Sequence, residues 1–159
     1  MRGQKKIGAN PTDRGKQGTK RSVLTEAQGI PLAVEIEGAN RHDVKLVQST
    51  LEHILIKRPT PTDQDPQGMC MDKGYDSREV RDLLDEFGFT AHIRARGEEA
   101  QAVKNDASHK ARRWVVERTH SWMNRFRRIL VRWEKRADTY LAMLHFALGL
   151  ITWRNVSNT

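Results

Sequence analysis

Apolar and polar residues alternate in the first part of the chain and later recur at helical spacing, which predicts strands followed by helices. Residues 22–25 and 30–37 alternate on either side of Gly29, a pattern typical of a β-hairpin. Residues 43–57 place apolar side chains three and four positions apart and predict a helix. Residues 58–68 contain three prolines and predict a loop.

The next stretch predicts a strand that ends at a carboxylate. Residues 69–71 form a short apolar run, and Asp72 follows it directly. Ser77 then has the position of a helix N-cap, Gly88 stops that helix, and residues 89–94 predict another strand. We therefore expect Asp72 at the carboxyl end of a buried strand, a position where sheet proteins often place functional groups.

Two helices are predicted after the polar residues 96–110. The first extends from about Ala111 to Arg132, and the second, mostly apolar, from Asp138 to Trp153. The predicted buried stripe of the first helix comprises Val115, Thr119, Trp122, Phe126, Ile129 and Trp133. The order hairpin, helix, strand, helix, strand, helix, helix predicts an α/β fold in which helices flank a mixed sheet.

Composition restricts the class of protein that these elements can form. The 159 residues fit one domain, and the net charge of +8 favours a polyanionic partner. The single cysteine, Cys70, excludes an internal disulfide and a cysteine-cluster zinc site, and it fits a reducing cytoplasm. The stretch 140–153 is shorter than a membrane span, and no signal peptide is apparent, so we expect no membrane association.

The N-terminus is strongly basic. Residues 1–21 contain seven Lys or Arg against one acid, Asp13, and show no amphipathic period. We therefore expect residues 1–20 to form a loose basic arm and residues 21–159 to form the folded domain. A solvated tail and a segment lying on a phosphate backbone explain this composition equally well.

Several residues could have either a functional role or an ordinary structural role. Asp72 could be a metal ligand or a turn-forming aspartate before Lys73. Glu117 lies one helical turn after Arg113, so the two could form an ordinary surface ion pair. Residues 111–137 carry nine Lys or Arg against two acids. Such a basic face beside a carboxylate suits phosphodiester chemistry at a metal ion, although a solvated basic face has the same composition.

Four segments in a fixed order carry a resemblance to a known family. They are Asn10–Lys16, Gly38–Asp43, Met71–Asp76 and Arg113–Trp122. In this combination the chain resembles insertion-sequence transposases with an Asp-Asp-Glu catalytic triad. The resemblance implies a ribonuclease-H-like fold with two divalent ions, Mg²⁺ or Mn²⁺, held by three carboxylates.

The resemblance also implies roles for individual residues. The second Asp of the triad matches Asp72 and the Glu matches Glu117, so both are expected to be catalytic metal ligands. Cations near them would engage phosphates of double-stranded DNA at transposon ends and targets, and the expected DNA-binding residues are Lys73, Arg113, Arg118, Arg125 and Arg128. The implied activity is strand cleavage and strand transfer by a homo-oligomer on DNA, in the cytoplasm and near the nucleoid.

The chain departs from the family pattern at three places. The tyrosine expected three positions before Arg113 is Lys110, and the lysine expected seven positions after Glu117 is Asn124. In the enzymes that the chain resembles, the first Asp lies on a central strand ahead of the segment matching residues 10–16, so we expect this chain to begin after it. We expect the chain to be the downstream part of a longer product, or a decayed or wrongly started fragment that is inactive alone. A non-catalytic DNA-binding or inhibitory protein and a basic ribonucleoprotein component are the alternatives.

Overall fold

The computed structural model describes residues 6–94 and 113–157, except for the side chains of Arg94, Arg113 and Trp114. In chain order the elements are β1 (Gly8–Ala9), β2 (Gln17–Thr25), β3 (Pro31–Gly38), α1 (Val44–Glu52), β4 (Gly68–Asp72), a 3₁₀ helix (Lys73–Tyr75), α2 (Arg78–Glu86), β5 (Thr90–Arg94), α3 (Arg113–Asn124), α4 (Arg127–Leu130) and α5 (Ala137–Val156). The chain divides into two compact units. Unit 1 comprises Met1–Leu55 and Val115–Thr159, and unit 2 comprises Ile56–Trp114.

Unit 1 contains an antiparallel sheet in the order β1-β2-β3. The predicted hairpin is present, and its turn requires Gly29, whose φ of 89° lies in the region that glycine adopts without strain. Glu26 fixes the turn, because its Oε1 accepts hydrogen bonds from the amides of Gln28 at 2.7 Å and Ile30 at 2.8 Å. The sequence therefore specifies this hairpin through a glycine and a local side-chain acceptor.

The core of unit 1 lies between β3 and the C-terminal helices. Val34 and Ile36 of β3 are almost fully buried and belong to one apolar cluster with side chains of α3, α4 and α5. Those side chains are Met123, Ile129, Ala137, Tyr140, Leu144, Ala147, Leu148 and Ile151. The predicted apolar helix after Asp138 is thus confirmed as a core helix. None of the described helices is long and apolar enough to cross a membrane.

Unit 2 contains β4 and β5, which pair in parallel, and the helix α2 between them. Ser77 caps α2 as predicted, because its side chain accepts a hydrogen bond from the Val80 amide at 3.2 Å. Gly88 ends the helical region with a φ of 72°, also as predicted. Val80 and Leu84 are the buried residues on the inner face of α2.

The α/β class is confirmed, although the described strands form two sheets and not one mixed sheet. The first sheet starts earlier than predicted. Residues 17–20, expected in a loose arm, belong to β2: Gln17 and Gly18 pair with β1, and Thr19 and Lys20 pair with β3, with Thr19 opposite Gly38. These strands form because their backbone pairs with distant segments, and the local pattern of hydropathy does not predict such pairing. The boundary between a basic arm and a domain stays a prediction.

Three other predictions differ from the structure. The helix predicted to end near Lys57 ends at Glu52, which leaves Leu55 exposed. The long helix predicted up to Arg132 is interrupted after Asn124 and ends in the single turn α4, so Trp133 is 74% exposed and does not belong to the core. The strand before Asp72 is only partly buried, because Cys70 is exposed.

Candidate functional site

Asp72 is the last residue of β4, at the carboxyl end of the parallel strand pair. Its carboxylate is exposed, and its Oδ1 accepts a long hydrogen bond of 3.4 Å from the Gly74 amide. Asp72 thereby caps the 3₁₀ helix that follows, so the turn-forming role that the sequence allowed is present. This role leaves the carboxylate exposed at the strand end, where the metal-ligand hypothesis also places it.

The turn after Asp72 is held by a compact ion-pair network that the sequence did not suggest. Asp76 pairs with Lys73 and also with Arg81, whose Nη2 lies 2.7 Å from Asp76 Oδ1. Hydrogen bonds from Lys73 and then from Arg81 hold the pKa of Asp76 below its usual range. Because two cations already balance its charge, Asp76 is a poor candidate for a metal ligand. A sequence signal was available, since Asp76 lies three residues after Lys73.

Glu117 is exposed on α3, and two neighbouring residues fasten that helix to the hairpin turn. The fully buried Thr119 donates from Oγ1 to the Gly29 carbonyl at 2.6 Å, and Arg118 Nη1 donates to the Gln28 carbonyl at 3.1 Å. These bonds fix the part of α3 that presents Glu117. The periodic pattern correctly placed Thr119 on the inner face, but it did not indicate this anchoring role.

The two predicted metal ligands belong to different units: Asp72 lies in unit 2 and Glu117 in unit 1. Their pairing therefore stays a prediction. Among residues 6–94 and 113–157, no group of three or more His, Cys, Asp or Glu side chains is arranged to hold a metal ion. The donor chemistry nevertheless fits Mg²⁺ or Mn²⁺, because exposed carboxylate oxygens are the ligands that hard divalent cations prefer.

The predicted DNA-binding cations have different surroundings. Lys73 is engaged by Asp76, although its side chain is 57% exposed. Arg118 donates to the hairpin and lies with its guanidinium carbon 5.7 Å from the centroid of the Trp122 ring. The Arg113 side chain is outside the described residues. Part of this cationic set therefore also has a structural role.

The other two predicted DNA contacts follow α3. Arg125 is exposed and lines a shallow depression of about 320 Å³. Its other lining residues are Trp122, Phe126, Ile151, Arg154 and Asn155. Arg128 is 69% exposed, and its Nε lies 3.2 Å from Glu134 Oε1. Both guanidinium groups are accessible to a phosphate backbone.

Comparison with known proteins identifies relatives of the chain. A family model described as "Transposase DDE domain" matches residues 1–151. The chain is 37% identical over 163 aligned positions to a Burkholderia cepacia protein named "Putative transposase for insertion sequence element IS402". That alignment covers 97% of the chain and 72% of the relative. No solved structure matches.

Proposed function

Because the chain belongs to the family of transposases with a DDE domain, we propose that it takes part in metal-dependent DNA strand cleavage and strand transfer at insertion-sequence ends. The observation that carries this proposal is the exposed carboxylate of Asp72 at the carboxyl end of β4. An exposed Glu117 on a helix that is fastened by Thr119 supports it. The ribonuclease-H-like arrangement of the sheet belongs to the same proposal.

In this proposal Asp72 and Glu117 hold the divalent ions, Mg²⁺ or Mn²⁺. Such ions, when bound, stabilise negative charge on phosphoryl oxygens and make a bound water a stronger nucleophile at neutral pH. The carboxylates of the chain supply the hard oxygen ligands and keep them exposed to substrate. The ion pairs of Asp76 with Lys73 and Arg81 stabilise the turn that follows β4.

The cations position the DNA. Lys73 directly follows Asp72 in the sequence, and Arg118 directly follows Glu117. Arg113 lies one helical turn before Glu117. Arg125 and Arg128 would contact phosphates farther along the backbone, and such contacts fix the orientation of DNA without reading its sequence. We propose that the protein acts on double-stranded DNA as a homo-oligomer near the nucleoid.

A nicking assay tests this function. The chain, alone and fused to the sequence encoded upstream, is incubated with end-containing DNA and Mg²⁺ or Mn²⁺. We expect Asp72→Asn and Glu117→Gln to slow nicking by about 100-fold or more, since a metal ion contributes several kcal/mol of charge stabilisation. Asp82→Asn and Glu86→Gln, which change exposed carboxylates of α2, are the matched controls. Nicking by both ligand variants at the parental rate would show that the assignment is wrong.

A second candidate is a non-catalytic DNA-binding or inhibitory protein. The exposure of Arg125 and Arg128 supports it, because DNA binding by exposed arginines requires no metal site. This candidate predicts that Asp72→Asn leaves the effect of the protein unchanged. Inhibition of an active transposase by both the parent and this variant, without nicking by either, would support it.

A further inference from the structure

Trp133 is the most exposed large aromatic residue that the structure describes. It lies between α4 and α5 and is 74% exposed, and the neighbouring Leu130 and Val131 are exposed as well. Large apolar side chains that cluster at a surface commonly mark an interaction site. We define the Trp133 patch as residues 127–135.

Arg132, on the N-terminal side of Trp133, is held by the body of unit 1. Arg132 Nη1 donates to Thr19 Oγ1 at 2.5 Å and to the Lys6 carbonyl at 3.2 Å. The Arg132 guanidinium carbon also lies 5.2 Å from the centroid of the Tyr140 ring. With Arg132 fixed in this way, the chain on the N-terminal side of Trp133 has a defined position.

Glu134, on the other side of Trp133, bonds to a second residue of the patch. Its side chain is only 6% exposed, and its Oε1 accepts a hydrogen bond from Arg128 Nε at 3.2 Å. Burial raises the pKa of Glu134, but hydrogen bonds from backbone amides and from Arg128 outweigh burial and leave that pKa below its usual value. Trp133 thus lies between two residues with side-chain hydrogen bonds: Arg132 bonds to the N-terminal part of unit 1, and Glu134 bonds to Arg128. These bonds reduce the ordering that binding would require.

The charges of the patch identify the kind of partner. Residues 127–135 contain four Lys or Arg against one acid. Arg127 and Lys135 form no ion pair within the part of the chain that the structure describes, and both are exposed. A second copy that docked through the same patch would bring like charges together, which is unfavourable. A polyanion gains from the same charges.

We propose that Trp133 is a stacking platform for an unpaired nucleobase of DNA, with Arg127 and Lys135 on the neighbouring phosphates. An exposed indole offers a flat apolar face to any base, and such stacking is tolerant of sequence. The inference deepens the proposed function, on which it rests, because DNA that is cut at an end presents bases that can leave the duplex. It assigns Trp133 to strand binding and not to the metal site.

The test measures binding without cleavage. A fluorescein-labelled single-stranded 20-mer and the corresponding duplex are titrated with the 159-residue chain in EDTA, and anisotropy reports affinity. We expect Trp133→Ala to weaken single-strand binding about 5- to 150-fold and duplex binding less, while Trp133→Phe keeps most of the affinity. Trp153→Ala is the matched control, because Trp153 is 71% exposed but lies in α5, outside the patch. It is expected to bind as the parent does.

Two results would overturn the inference. One is equal affinity of Trp133→Ala and Trp153→Ala for the single strand. The other is a change in the sedimentation of free Trp133→Ala with unchanged affinity, which would identify the patch as a contact between copies of the chain. Failure of the metal chemistry remains distinguishable: if Asp72→Asn nicks like the parent while Trp133→Ala loses strand binding, the proposed catalytic assignment fails and the stacking role stands.

Discussion

Replacing Thr119 by valine tests whether the bond from α3 to the hairpin turn stabilises unit 1. Thr119 is fully buried, and its hydroxyl donates at 2.6 Å to the carbonyl of Gly29, which is also buried. Valine keeps a similar shape but leaves that carbonyl without this donor. A buried carbonyl that loses its donor costs about 1–3 kcal/mol. We therefore expect Thr119→Val to lower the free energy of unfolding by about that amount.

Urea unfolding followed by tryptophan fluorescence measures this change. At a slope of about 2 kcal/mol per molar urea, the midpoint should fall by about 0.5–1.5 M. Trp122 is a suitable reporter, since its ring lies against the same turn. Thr139→Val is the control: Thr139 is exposed on α5, and its substitution should change stability by about 0.5 kcal/mol or less. Equal midpoints for Thr119→Val and the parent would refute the proposed anchoring role.

Three further predictions follow from the same structure. Gly29→Ala should lower the urea midpoint by about 0.5 M or more, because φ is 89° and a new Cβ would lie 3.3 Å from Thr119 Oγ1; an unchanged midpoint would contradict the turn geometry. Burial, and then the charge of Arg21, lowers the pKa of His120. The neutral side chain therefore contributes stability that is fully present above about pH 6.5, and this stability is lost as pH falls through the lowered pKa. His120→Gln should therefore lose less stability than the parent between pH 8 and pH 5 in urea titrations. Hydrogen bonds from Arg136 and from a backbone amide lower the pKa of Asp138 to about 2. The ionised carboxylate therefore contributes stability that is present above about pH 3.9 and lost as pH falls through about 2. In thermal unfolding, Asp138→Asn should be less stable than the parent at pH 6 and equal to it near pH 1.5.

Local signals in the sequence predicted the features that local chemistry determines. Gly29 marks the hairpin turn because few other residues adopt a positive φ, and Ser77 marks the start of α2 because its hydroxyl satisfies a helix amide. Asp72 was correctly placed at a strand end, since an apolar run stops there. Each of these features depends on a few consecutive residues.

Features that depend on distant partners were not predictable in this way. Residues 17–20 are strand because β1 and β3 pair with them. The break after Asn124 contains neither proline nor glycine, so the helical period continues through it in the sequence and wrongly placed Trp133 in the core. Asp72 and Glu117 lie far apart in the sequence and belong to different units, so neither hydropathy nor spacing predicts whether they share a site.

Exchange of a carboxylate for a thiolate tests most directly whether Asp72 binds a metal ion. In a Cys70→Ser background, Asp72→Cys replaces a hard oxygen ligand by sulfur, which binds Mg²⁺ poorly and binds softer cations such as Cd²⁺ well. The measurement is the nicking rate of the fused chain on end-containing DNA with Mg²⁺, Mn²⁺ or Cd²⁺. We predict that Asp72→Cys is inactive with Mg²⁺ and regains activity with Mn²⁺ or Cd²⁺, whereas the parent prefers Mg²⁺ or Mn²⁺. Parental activity of Asp72→Cys with Mg²⁺ would contradict a role for Asp72 in metal binding.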